Sequence, residues 1–302
     1  MRILAASLFA ATALAAPAAA QDVADAEIRT ECLNERLCVL FGPGGNVAVH
    51  HGEDGNVMID DKYAPLAPKL LAAMREVSDA PLEFVINTHY HGDHTGGNEQ
   101  MTVAGGKVLA HENVRARIEA ELAEKDAAGE GSAEGWMKLP VITFDSSVDL
   151  YWNGEQIDIV HVHHAHTDGD AIVWFRGSKV VHMGDTYFKD ATWPYVDLAA
   201  GGSIDGVIAA VRGVLDGIDE GWTVIPGHGP IATHADLHAY HDMLVGIRAG
   251  VAEGVAAGES LEAVQARDLT APYAVGEGFI TRTKFIEAVY KSLRGETDYS
   301  PR

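Results

Sequence analysis

Basic side chains are scarce in this chain: 22 lysines and arginines face 44 aspartates and glutamates over 302 residues, a formal net charge of -22 with histidine neutral. No basic cluster interrupts that acidity. Such a surface repels phosphate backbones and anionic lipid, so no nucleic acid and no membrane partner is expected, and a small-molecule substrate is left. Cysteine is rarer still, with only Cys32 and Cys38. They can form a single bridge, and their spacing leaves a disulfide and two buried thiols equally open. Apart from Ile3–Ala16, which is too short to span a bilayer, the chain is not read as carrying a membrane anchor. After residue 20 there is no tandem repeat, no long low-complexity tract and no Pro/Gly-rich linker between halves, and the 47% apolar content is that of an ordinary globular protein. Oligomeric state is not written in these features.

The N-terminus, "MRILAASLFAATALAAPAAAQD", places Arg2 before an apolar run and ends in Ala18 and Ala20 as an A-x-A arrangement. Residues 1–20 are therefore expected to be a secretory signal, and residues 21–302 a single domain in the periplasm or secreted. Loss of Arg2, the one charged residue of the leader, takes the net charge from -22 to -23.

The stretch "LCVLFGPGGNVAVHHGEDGNVMIDD" predicts strands broken by the turns GPGG and EDGN. A helix follows, with Pro65 and Pro68 at its start and Leu66, Leu70, Leu71 and Met74 as its apolar stripe. "LEFVIN" and "KVLAH" read as strands around a polar loop, and "ENVRARIEAELAEKDA" as a charged helix. From Val141 to Val181 strands dominate; "SIDGVIAAVRGVLDGI" is helical, "WTVIPG" is a strand, and helices run from about 235 to 256 and from about 281 to 293. Strands followed by helices, twice over, predict two sheets with outer helices.

Chemistry concentrates in "INTHYHGDHTGG", where His89, His91, Asp93 and His94 fall within six positions directly after an apolar strand. His89 and His91 alternate by two, so their side chains can point the same way. One metal cannot comfortably use all four from so short a loop, but two adjacent metals can. His166 in "HHAHTDGD", Asp185 in "VVHMGDTYF" and His228 in "TVIPGHGP" each stand at a strand edge beside glycine, where a loop can deliver a ligand to a sheet rim.

On these residues the chain resembles the metallo-β-lactamase superfamily. "THYHGDH" matches the family's H-x-H-x-D-H motif in full, the downstream His, Asp and His follow in the family's order, and the resemblance runs from about Val39 to His228. It implies an αββα sandwich of two mixed sheets with outer helices, and two Zn²⁺ at one edge of those sheets. It implies that His89, His91 and His166 bind one metal, that Asp93, His94 and His228 bind the other, and that Asp185 bridges them, with Asp93 and Asp185 taking catalytic as well as ligating roles. Asp60, ending "NVMID", resembles the strand-end aspartate that supports the metal loop and reads equally as a plain turn carboxylate. The donor chemistry agrees: neutral imidazoles and carboxylates suit Zn²⁺, three histidines leave an open fourth position, and a water held between two cations becomes a hydroxide near neutral pH. A non-catalytic zinc protein would need closed coordination, which this set does not give.

The expected activity is that of an exported di-zinc hydrolase using a metal-bound hydroxide on an activated carbonyl. A β-lactam is the leading substrate, with a lactone or a glyoxalase-type thioester as the alternative and iron-dependent sulfur dioxygenation as the more distant one. By resemblance, dinuclear β-lactamases carry Cys where this chain has Asp185, a nearby Lys for the substrate carboxylate, and a downstream Asn. Here the candidate lysine is Lys189, displaced by one position, and "DLAAGGSIDG" supplies no Asn. "GDTYF" is closer to the thioesterase and lactonase branches. The di-iron flavoprotein branch has Glu where this chain has His91.

The remaining histidines read as structural. His161, His163 and His164 are strand polarity beside His166, with His164 on its face, and His111 ends a strand. His234, His238 and His241 have a helical spacing that could hold a surface metal but read as a solvated face. Candidates for the pocket rim are Gly42 to Gly45, Trp136, Met137, Tyr187 and Trp193.

Overall fold

The computed structural model describes residue 23, residues 25–297 and residue 299; the expected signal, residues 1–20, lies outside the described residues. A first sheet of seven strands follows chain order across its width: β1 (Arg29–Cys32), β2 (Leu37–Phe41), β3 (Val47–His50), β4 (Asn56–Ile59), β5 (Leu82–Ile86), β6 (Lys107–His111) and β7 (Ile142–Phe144). Strands β1 to β4 are antiparallel, joined by tight turns, while β4 to β7 run parallel. Parallel neighbours need crossovers. These are supplied by α1 (Ala67–Val77), by the short α2 (Gly92–Thr95) and α3 (Asn98–Val103), and by α4 (Glu112–Ala127).

The second sheet has six strands: β8 (Ser147–Trp152), β9 (Glu155–His161), β10 (Ala171–Phe175), β11 (Val180–His182), β12 (Thr223–Ile225) and β13 (Ala232–Thr233), again in sequential order. Only β11 and β12 are parallel, with α5 (Ile204–Gly217) crossing between them. The helices α6 (His234–Ala256), α7 (Leu261–Gln265) and α8 (Arg282–Leu293) then cover this sheet. Side-chain hydroxyls of Ser203, Thr233 and Thr281 cap α5, α6 and α8.

Alternation along the strands builds a layered core. Leu37, Val39, Ala48, Val57 and Ile59 face Ile157, Ile159, Val173 and Phe175 between the sheets. The intervening Leu40, Val47, Val49 and Met58 turn outward under α1 and α3, while Ile172, Trp174, Val181 and Val224 turn outward under α5, α6 and α8. Both faces of the central strands of both sheets are thus buried, which is the expected αββα sandwich of two mixed sheets with outer helices.

Two details differ from or complete the sequence reading. The polar segment after β5, read as one loop, winds into α2 and α3, because backbone bonds from His94 N and Thr95 N to His91 O begin a helix within the histidine cluster. Cys32 and Cys38 stand opposite each other in the β1–β2 register and are joined as a disulfide.

Candidate metal centre

The segments that follow β5, β9, β11 and β12 meet at one rim of the sandwich, and seven side chains converge there in two groups: His89, His91, His166 and Asp185, and Asp93, His94 and His228. Within each group one donor atom per residue lies within 4.8 Å of all the others.

Hydrogen-bond accounting determines which nitrogens face inward. The carbonyl of Tyr195 can only accept, so His166 Nδ1, 2.7 Å away, carries the hydrogen and leaves Nε2 as a lone pair. His91 Nε2 donates to Asp197 Oδ2 at 2.9 Å, so its Nδ1 is the lone pair. The Thr88 hydroxyl donates to Asp60 Oδ2, so it accepts from His89 Nδ1 at 3.1 Å and leaves His89 Nε2 bare. Those three lone pairs then face one another, with His91 Nδ1 3.1 Å from His89 Nε2 and 2.9 Å from His166 Nε2. Three acceptors at that separation, with no hydrogen between them, repel unless a cation sits among them.

The second group behaves alike. His94 Nδ1 donates to Asp60 Oδ2 at 2.7 Å, which turns Nε2 toward Asp185 Oδ1 at 3.1 Å and His228 Nε2 at 3.4 Å. His228 Nε2 lies 3.3 Å from both Asp93 Oδ2 and Asp185 Oδ1. Although two imidazole nitrogens are this close, buried Asp185 Oδ1 makes no hydrogen bond of acceptable geometry. An orphaned buried carboxylate oxygen amid histidine donors fits a bridging ligand, and the donor set is compatible with a dinuclear metal centre. Burial opposes charge on His94, but the carboxylates of Asp185, Asp93 and Asp60 outweigh it and hold its pKa well above the usual range. Burial likewise opposes charge on His228, and Asp185 overrides it to bring the pKa to about 9.

Around the ligands, buried Asp60 accepts from Thr88 N at 2.7 Å as well as from Thr88 Oγ1 and His94, which ties β4 to both metal groups. It does so at φ 62, a left-handed conformation that these bonds hold in place. The turn at 42–46 forms a roof. Gly45 N donates to Asp93 O, and a Cβ at Gly45 would fall 2.1 Å from the His94 ring, so only glycine fits. Lys62, fully buried, donates from Nζ to the carbonyls of Gly42 and Gly45. Asn46 donates to the carbonyls of Pro226 and Gly229 on either side of His228.

The other candidates disperse. Lys189 Nζ, expected as a carboxylate anchor, is engaged by Asp236 Oδ2 at 2.8 Å and Ile231 O at 3.0 Å at the start of α6. Its neighbour Phe188 pairs with His228 as an isolated bridge and stacks on that ring, so residue 189 points the other way. Tyr187 and Trp193 are core residues under the outer helices, and exposed Trp136 and its neighbour Met137 belong to a turn held against α3. His111 caps α4, binds Asp145 O and stacks on His161. His163 packs on His161, and His164 Nδ1 is bonded to Gly201 O. His238 and His241 pair with Asp242 on α6, and with His234 they join neither ligand group.

Asp197 and Tyr195 orient His91 and His166, and no signal in the sequence points to either: "PYVDLAAGG" has no metal-like spacing. Asp170, which accepts from the backbone of His166 and Thr167, was visible only as part of "HTDGD".

Fold and donor set together define the class, a two-sheet sandwich carrying a histidine–carboxylate metal site at its rim. The profile of the metallo-beta-lactamase superfamily matches residues 41–228, and the chain belongs to that superfamily. Among solved structures it is similar to the metallo-beta-lactamase from Pontibacter korlensis, with TM-score 0.58 and 18% identity over 72% of this chain and 99% of that one. It is similar also to DIM-1 metallo-beta-lactamase exposed to ceftazidime, with TM-score 0.58 and 19% identity over 72% and 96%. At such identities the likeness is one of fold. A curated relative, the 2,4-dinitroanisole O-demethylase subunit alpha of Nocardioides sp. (strain JS1661), is 22% identical over 147 residues, 48% of this chain and 42% of that one. The chain thus spans less than half the length of that relative.

Proposed function

We propose that this protein is an exported di-zinc hydrolase that opens an activated carbonyl, an uncharged lactone or ester ahead of a β-lactam. The observation that carries the reading is the proton accounting: every oriented imidazole turns a lone pair inward, and Asp185 Oδ1 is left for a cation. Two zinc ions, when bound, supply Lewis acidity toward the substrate carbonyl and a strongly acidified water. The chain's own residues do the rest. Asp185 spans the two donor groups and fixes their spacing. Asp93, 19% exposed, is the carboxylate nearest the solvent and is placed to accept the proton the attacking water gives up.

Uncharged substrates come first because the lysines that approach the ligand loops are occupied: Lys62 on carbonyls and Lys189 on Asp236. A carboxylate entering a protein of net charge -22 needs a free cation. The curated relative is likewise named for an aromatic ether and not for a β-lactam. Export rests on the N-terminal pattern of Arg2, the apolar run and Ala18-x-Ala20.

The test is metal analysis of the purified protein with a hydrolysis screen over lactones, esters, thioesters and β-lactams. About two zinc per chain and turnover of neutral lactones or esters are expected from the two donor groups. Full activity with one iron and no zinc would overturn the reading.

A further inference from the structure

Four aromatic rings crowd the mouth of the metal centre, although aromatic residues make up only 7% of the chain. Tyr195 stacks on His91 of the first group, with centroids 5.6 Å apart and planes 16° apart. Phe188 stacks on His228 of the second group at 5.4 Å and 2°. Phe279 joins them, its ring 6.1 Å from Tyr195, 6.1 Å from His228 and 6.3 Å from Phe188. Across the roof, Tyr63 lies against Gly44, where an added Cβ would stand 3.2 Å from its ring and 3.1 Å from Asp93.

Phe279 is the informative member. Phe188 is buried and serves as a wall, whereas Phe279 is 56% exposed and comes from the irregular segment between α7 and α8. Its neighbours across the mouth, His91 and His228, retain 18% and 14% of their side-chain surface. An exposed phenyl ring packed on His228 of the second group and on Tyr195, which itself stacks on His91 of the first, leaves apolar area in water beside both groups that its own fold does not cover.

We propose that this aromatic frame is the substrate-binding surface and that it selects an uncharged substrate bearing a flat aromatic group, with Phe279 as the residue that sets the preference. The inference rests on the hydrolase reading only for where the scissile bond lies. A ring of the substrate laid against Phe279 and Tyr195, which meet edge to face, sets the group attached to it beside His91 and His228. Packing of this kind is worth about tenfold in affinity per ring contact.

The experiment measures binding apart from turnover. Zinc-loaded protein is titrated calorimetrically with 2-acetonaphthone, a neutral aryl ketone that is not hydrolysed, and with 2-octanone as its aliphatic counterpart. Wild type is compared with Phe279→Ala and with Phe279→Trp, which keeps a ring. The ratio of aryl to aliphatic affinity is expected to fall about tenfold in Phe279→Ala and to recover in Phe279→Trp. No aryl preference in wild type, or a preference unchanged in Phe279→Ala, would overturn the proposal. Naphthyl acetate hydrolysis is followed in parallel. Aryl binding that depends on Phe279 without ester turnover would sustain the aromatic site and remove the hydrolase reading.

Discussion

The two halves of the metal centre are held by different means. In the first, His89, His91 and His166 each have the outer nitrogen fixed by a hydrogen bond, to Thr88, Asp197 and the Tyr195 carbonyl. In the second, only His94 is held so, by Asp60, while His228 is located by the Phe188 ring and by the glycine roof that Asn46 pins to the segment carrying it. Exposure does not follow that division: His89 and His166 in the first half and His94 in the second are sealed, whereas His91 keeps 18% of its side-chain surface and Asp93 and His228 keep 19% and 14%. A fully hydrogen-bonded imidazole set is preorganised for its cation, while a set located by packing is looser. On the di-zinc reading the second metal therefore leaves first as a chelator is added.

The largest expected effect removes the link between the halves. Asp185 is buried and is, among the described residues, the one carboxylate with an oxygen within 4 Å of histidines of both groups. Asp185→Asn keeps the shape and deletes the charge, so turnover should fall by orders of magnitude with the fold intact by circular dichroism. Near-normal turnover would show that the two halves work without a shared ligand.

Next in size is a change to the roof alone. Gly45→Ala puts a methyl group where the His94 ring stands, and the turn cannot simply retreat, because Lys62 holds the Gly45 carbonyl and Asn46 holds the far side. His94 must move. The expected protein keeps about one zinc and loses about a hundredfold or more in rate, from misplacement of one ligand group. Retention of both metals at wild-type affinity would mean that the second half is as well anchored as the first.

These two substitutions also mark how much was legible beforehand. All seven side chains of the two donor groups could be read from the sequence, because His and Asp at that density, after an apolar strand and beside glycine, have few other uses. The layered fold could be read from alternation in segments such as "NVMID" and "DAIVWF". The supports could not. Asp197 reaches His91 across 106 positions, and Lys62 reaches the roof carbonyls across 17 or 20, so neither leaves a local pattern. Lys189, expected as a carboxylate anchor, is turned to Asp236 instead for a related reason. Its spacing from Asp185 says how far along the chain it lies, but pairing of Phe188 with His228 sets which side it faces, and the acid that captures it comes from α6.

A smaller effect should come from the first half. Asp197→Asn is isosteric, but Oδ1 is the acceptor of Ala200 N, so with the amide oxygen kept there the nitrogen faces His91 Nε2, from which it cannot accept, and the ring loses the partner that fixes its tautomer. The Tyr90 hydroxyl, 3.1 Å from Oδ2, loses its charged acceptor as well. The affinity of the first zinc should fall about 10- to 100-fold, read by competition with a chelating dye. If the second zinc weakens more than the first, the assignment of supports to halves is reversed.

The smallest effect concerns the flank of the second half. Lys189 and Asp236 form an ion pair whose acid side chain is 39% exposed, so solvent screening limits its worth to about 0.5 kcal/mol. Burial opposes the Asp236 charge, but the ammonium of Lys189 and the bonds from Thr233 prevail and lower its pKa below the usual 3.8. A depressed carboxylate stabilises the folded state above its unfolded pKa and loses that contribution as pH falls through the folded one. The stability difference between wild type and Lys189→Ala should therefore be constant near pH 7 and shrink only below about pH 4, the unfolded aspartate value, in chemical denaturation at several pH values. The same variant probes the mouth. With its ammonium committed to Asp236, Lys189 should leave KM for anionic β-lactams and for neutral esters shifted alike. A tenfold rise confined to the β-lactams would mean that the lysine leaves Asp236 when a carboxylate enters, and the second half would then be the charged side of the site and not merely its looser one.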